Sequence, residues 1–117
     1  MVDKARHWIS YWIITVALLH LLFALIKFKS EYLAIVSSGL WNSVDTVDKG
    51  QAVWFFLFGL VFLVVGCQLY TLEKLKVKLT GFPSLMMLML AIMGTVLMPV
   101  SGFWLVLPPA IAMFIYR

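Results

Sequence analysis

Residues 79–116 read LTGFPSLMMLMLAIMGTVLMPVSGFWLVLPPAIAMFIY, 38 positions without a charged side chain. A helix needs about 20 apolar residues to cross the hydrocarbon core of a bilayer. The stretch is therefore too long for one crossing and just short of two full ones. Its own punctuation divides it. Gly81 and Pro83 mark the start, and Met98-Pro99-Val100-Ser101-Gly102 interrupts the middle, where proline and glycine together signal a turn. The division predicts two short helices, over about 84–98 and about 103–116. Pro108 and Pro109 fall inside the second. They remove two backbone donors, so that helix is expected to kink or break, and the freed carbonyls of Trp104 and Leu105 then need other partners.

Two more uncharged runs precede this one, Trp8–Ile26 with 19 residues and Ala52–Leu72 with 21. At about 1.5 Å per residue each reaches across a bilayer core. The predicted spans are thus about 8–28, 51–72, 84–98 and 103–116. Composition agrees: 64% of the chain is hydrophobic and 12% charged, against about 45–50% and 25% in soluble domains. A soluble chain of 117 residues has too little interior to hide that much apolar surface. The expectation is an all-α fold, a membrane four-helix bundle formed by a single domain over residues 1–117. Lys4 and Arg6 before an apolar run resemble a secretory signal. The run is too long for one and no small-residue cleavage site follows, so it reads as a retained first span.

Residues 29–50 form the loop between helices one and two. Ser30-Glu31 reads as an N-cap and first turn. Tyr32, Leu33, Ile35 and Val36 make one apolar face of a short interfacial helix that closes near Gly39. Leu40-Trp41 follows, with Trp41 expected at headgroup depth. Asp48-x-x-Gln51 reads as a capping box opening helix two. Basic residues set the orientation. Lys4, Arg6, Lys74, Lys76, Lys78 and Arg117 collect on one side, and Lys27, Lys29 and Lys49 on the other. The larger set places both termini in the cytoplasm and the 29–50 loop outside. The net charge of +4 comes from these helix ends and forms no aromatic-interleaved patch, so nucleic acid is not a predicted partner.

His20 is the ionisable residue deepest in a span. Such residues are costly in lipid and mark functional-site hypotheses. Ala17 and Ala24 share its helix face, and small residues let helices approach, so His20 is expected to point into the bundle. It is either a neutral imidazole bonded to a neighbouring helix or a contact for ligand, proton or metal. It lies six residues before Ile26, about 9 Å below the outer end of helix one. The two short helices climb only about 22 Å, which puts their turn at a similar depth. The expected site is a dent in the outer half lined by His20, Ser101 and Trp104, covered by Trp41 and Asn42. Gly59 and Gly66, seven apart, suggest a packing seam, through which a second copy is one candidate partner. Gln68 reads as interhelical glue. The methionines at 86, 87, 89, 93 and 98 read as adaptable packing.

Several chemistries are excluded. One cysteine, Cys67, forbids an intrachain disulfide and two-cysteine redox chemistry. No H-E-x-x-H, C-x-x-C, Walker A or G-x-S-x-G pattern occurs. No carboxylate pair sits in a span. His7 and His20 lie thirteen apart on one helix and cannot both ligate one haem within a single subunit.

The runs Gly39-Leu40-Trp41-Asn42-Ser43-Val44 and Met98-Pro99-Val100-Ser101-Gly102-Phe103-Trp104-Leu105-Val106-Leu107-Pro108-Pro109-Ala110-Ile111, with His20 and with Phe55-Phe56 and Gly59, resemble a family of small bacterial integral membrane proteins of uncharacterised function. The resemblance covers most of the chain, and the SGFWLxLPPAI run is its most specific part. It implies a four-span protein of the bacterial inner membrane and carries no activity with it.

Three function classes stand. The first is a protein holding a lipid, quinone or other amphiphile near His20, with Trp41, Asn42, Ser101 and Trp104 around it. The second is a non-catalytic subunit or packing partner of a larger membrane assembly. The third, which the residues favour least, is a membrane enzyme using His20 as an acid or base. No catalytic residue, metal site or cofactor is assigned; the lipid bilayer is the one partner common to all three.

Overall fold

Helix α1 runs over Val2–Lys27 and α3 over Val47–Lys74, and a stripe of small residues on each brings the two together. Ser10, Ala17 and Ala24 recur every seven residues on α1, each fully buried. Ala52, Gly59, Gly66 and Glu73 recur every seven on α3, again all buried. A period of seven keeps one face of a helix against its neighbour, and small residues let the backbones close in. The pairing is antiparallel. A Cβ at Gly66 would meet Ile14 Cγ1 at 2.6 Å, and one at Gly59 would meet Leu21 Cδ2 at 2.7 Å and His20 Cδ2 at 2.9 Å. Phe28 packs on Phe55 at the far end. The glycines at 59 and 66 form a packing seam, and the partner it receives within the chain is α1.

The structure is a computed structural model that describes residues 2–78 and 81–115, with residues 2–7 as helical backbone alone. Lys4, Arg6, His7 and Arg117, on which part of the expected orientation rests, lie outside the described side chains. Five α-helices and one 3-10 segment make up the described residues, which contain no strand. Trp8–Lys27 of α1 and the whole of α3 are long and apolar enough to cross a membrane; the helices after α3 are shorter.

The first long helix does not simply end at the expected loop. Phe28 alone separates α1 from α2, Lys29–Ser37. It is 7% exposed, pinned between Phe55 and Tyr32, so the chain bends there. Ser30 is therefore inside α2 and not its cap; its hydroxyl donates to Glu31 at 2.9 Å. α2 closes as the glycine signal predicts. Gly39 has φ +94°, Gly39 N donates to Val36 O and Leu40 N to Ile35 O, the paired bonds of a Schellman ending. The same ending closes α3, with Lys76 in the left-handed position. α3 opens at Thr46, whose hydroxyl accepts from Lys49 N at 3.2 Å. Asp48, expected to be the cap, sits in the first turn, where an acid is favoured by the helix dipole.

α4, Phe82–Leu97, and α5, Leu107–Ile115, form a hairpin joined by Met98–Ser101 and the 3-10 segment Gly102–Leu105. The expected helix over 103–116 is thus broken at Val106. The break lies just ahead of the prolines, which occupy the first turn of α5, where a helix has no use for their missing N–H groups. The ring of Phe103 lies directly on Gly94, so a side chain at 94 would displace it. α5 packs against α1 and α4 packs on α5. Ile9, Ile13, Ala17, Phe62, Leu69, Ala91, Val106 and Ala110 share one apolar core.

Candidate functional site

His20 projects from α1 toward α3. The absence of a side chain at Gly59 leaves room for its ring. Nε2 lies 2.7 Å from the carbonyl oxygen of Phe55. A carbonyl only accepts, so Nε2 carries the proton in this contact. The imidazole stacks on the Phe55 ring at 4.0 Å between centroids and meets Phe58 at 5.8 Å. Phe58 in turn touches Phe103 at 6.3 Å. One aromatic ring thus links His20 to the 3-10 segment of the hairpin.

Ser101 and Trp104 turn back on their own loop. Ser101 Oγ donates to Met98 O at 2.6 Å and accepts from Phe103 N at 3.3 Å. Trp104 Nε1 donates to Pro99 O at 2.7 Å. Both side chains satisfy backbone carbonyls of the turn. Trp41 is 91% exposed and covers none of these residues. Asn42 is exposed and takes a left-handed φ of +47°, a conformation its short polar side chain tolerates. Among the expected site residues the structure therefore links His20 to the 101–104 turn through Phe58 and Phe103, and leaves Trp41 and Asn42 apart.

The face of α1 opposite the small-residue seam carries a groove of about 390 Å³, lined by Trp8, Tyr11, Trp12, Thr15, Val16, Leu19 and Leu105. The spacing from 8 to 19 follows one side of the helix, and the end of the 3-10 segment adds the wall at Leu105. Trp8 and Trp12 meet edge to face at 5.8 Å and 83°. Trp12 is fixed by its indole, which donates to Leu105 O at 2.7 Å. Tyr11 meets Tyr70 of α3 at 5.9 Å. Thr15 brings one hydroxyl to the groove, and that hydroxyl donates to Tyr11 O. The lining is thus aromatic and aliphatic.

Sequence reasoning passed over this groove, because it needs α5 beside α1 and no periodicity specifies that neighbour. It also passed over Glu73. This carboxyl is 3% exposed, accepting from Ser10 N at 3.0 Å and from Ser10 Oγ at 3.1 Å. Beside Lys74 at the end of an apolar run, Glu73 reads as solvated. Only its place in the series Ala52, Gly59, Gly66, Glu73 points it into the seam. No group of three His, Cys, Asp or Glu side chains placed to hold a metal occurs among the described residues.

The architecture and the groove together define an all-helical protein with two apolar helices of membrane-crossing length. Residues 4–117 match the family of unknown function DUF6463, and the chain belongs to that family. No curated protein and no solved structure matches it.

Proposed function

We propose that this chain is a multi-pass protein of the bacterial inner membrane that holds the apolar tail of a lipid, quinone or similar amphiphile in the groove along α1. In this reading α1 and α3 cross the bilayer, the α4–α5 hairpin completes a four-helix membrane bundle, and both termini face the cytoplasm. The observation that carries the reading is the groove itself. Its volume of about 390 Å³ falls within the roughly 300–1,000 Å³ of small-molecule sites, which are mostly apolar with few polar groups. Its walls are held in place, Trp12 by Leu105 O and Tyr11 against Tyr70, so little ordering is left for the ligand to impose. His20 serves here as an interhelical donor, and Ser101 and Trp104 as partners for the turn's backbone.

Native mass spectrometry of protein extracted gently from its own membrane tests this. A discrete retained mass is expected, lost in Val16→Trp and Leu19→Trp, which fill the groove, and kept in Trp54→Phe, remote from it. A bare chain, or a mass unaffected by filling the groove, overturns the proposal.

A further inference from the structure

The groove has a length, and a lysine stands one helical turn beyond the aromatic pair at its end; together they specify the class of amphiphile. Trp8 opens the uncharged run of α1 and Leu19 is the last groove residue on that helix. Eleven residues of helix separate them, about 16 Å. The hydrocarbon core is about 30 Å thick, so the groove runs the depth of one leaflet, from the α3 C-terminal end of the molecule to the midplane. At that end stand Trp8 and Tyr11, with Tyr70 of α3 against Tyr11. Aromatic rings of this kind settle at headgroup level.

One helical turn beyond Tyr70 lies Lys74. It is exposed, it has no carboxylate within 4.0 Å among the described residues, and Lys76 and Lys78 follow it. The neighbouring acid, Glu73, is turned inward to Ser10, so α3 offers the mouth a cation without its adjacent anion. At the other end Lys29 is also exposed, but it lies ten residues past Leu19, the last groove residue on α1. Lys49 is tied to Asp45 at 2.9 Å, and the Lys27 ammonium sits over the rings of Phe23 and Phe28 at 5.7 and 5.4 Å.

We infer that the occupant is an anionic phospholipid of the leaflet on the Lys74 side, with one acyl chain in the groove from Tyr11 to Leu19 and its phosphate at the Lys74 ammonium. The inference rests on the proposed use of the groove and adds the headgroup. Charge complementarity selects the lipid: a basic residue near the membrane surface favours anionic headgroups, while the groove is indifferent to them.

The test uses the full chain in bilayer discs of equal parts phosphatidylglycerol and phosphatidylcholine with matched acyl chains, followed by native mass spectrometry of the retained lipid. The wild type is expected to keep phosphatidylglycerol over phosphatidylcholine by about fivefold, the selectivity of one basic residue near a membrane surface. Lys74→Gln should keep a lipid but bring the ratio close to one. Lys29→Gln, a lysine at the opposite end, should leave the ratio unchanged. A wild-type ratio of one with lipid still retained overturns the headgroup assignment and leaves the groove reading standing. A ratio that survives Lys74→Gln, or falls equally in Lys29→Gln, also overturns it. A wild type with no retained lipid removes the groove reading as well.

Discussion

The indole nitrogen of Trp12 donates a 2.7 Å hydrogen bond to the carbonyl of Leu105, the acceptor that Pro109 cannot serve. In an uninterrupted helix the N–H of residue 109 would bond to the oxygen of residue 105. Proline has no N–H. A side chain from a helix 93 residues away in sequence supplies the donor. The bond does two things at once. It docks the hairpin on α1, and it sets the plane of the Trp12 ring in the groove wall.

Trp12→Phe keeps an aromatic wall and removes the donor. The expected loss is about 1 kcal/mol, the usual net worth of an intramolecular hydrogen bond. Trp54→Phe, at a residue 73% exposed, should change stability by much less. Unfolding midpoints of the two variants in mixed micelles measure the difference. Equal midpoints would show that the Leu105 carbonyl finds another donor.

The seam glycines should differ in sensitivity. A Cβ at Gly66 would meet the backbone nitrogen of Ile14 at 3.1 Å as well as its Cγ1 at 2.6 Å. Backbone cannot rotate aside, so Gly66→Ala has to push α1 and α3 apart, with an expected cost of about 1–3 kcal/mol. At Gly59 the nearest atoms are side-chain ends of Leu21 and His20. Gly59→Ala is expected to cost less, mainly by displacing the imidazole from Phe55 O. Unfolding midpoints rank the pair, and the reverse order would contradict the packing described for this seam.

Tyr32 ties α2 to the start of α3 through a 2.7 Å hydrogen bond from its hydroxyl to Ala52 O. Its pKa is raised above the usual tyrosine value, first by desolvation and then by the charge of Glu31. A raised folded-state pKa means a contribution fully present below the unfolded value of about 10 and lost as pH climbs through the folded value. Absorbance at 295 nm should therefore show a tyrosine titration step above the usual value. That late step should vanish in Tyr32→Phe; if it persists, the delayed group is a different tyrosine.

Thr46→Ala removes the side-chain acceptor for Lys49 N and should lower stability by about 1 kcal/mol. Asp48→Ala, which loses only a favourable charge in the first turn, should cost less, about 0.3–1 kcal/mol. Amide exchange in residues 47–50 distinguishes them. Faster exchange in Asp48→Ala than in Thr46→Ala would restore Asp48 as the cap.

Both long helices follow directly from where charges are absent, since Trp8–Ile26 and Ala52–Leu72 lie within α1 and α3. Gly39 and the Met98–Gly102 cluster mark real chain reversals because their backbone requirements are local. The cap lies at Thr46, two residues before Asp48, although Asp48-x-x-Gln51 carries the same pattern a capping box does. Glu73 and the groove were illegible for another reason. Each depends on which helix stands beside which, and the hairpin's connection to α3 permits more than one neighbour. The contact of Phe103 with Gly94 is of the same kind: a ring meeting a missing side chain leaves no periodic trace.

The turn between α4 and α5 supplies its own solvation. Ser101 serves Met98 O and Trp104 serves Pro99 O, and Val100 between them is fully exposed. Two carbonyls that another fold would have to shield with neighbouring helices are quenched within seven residues of chain. Such a segment is portable. Grafted between two other apolar helices, the first carrying a glycine to receive Phe103 as Gly94 does here, residues 98–104 should close a tight reversal.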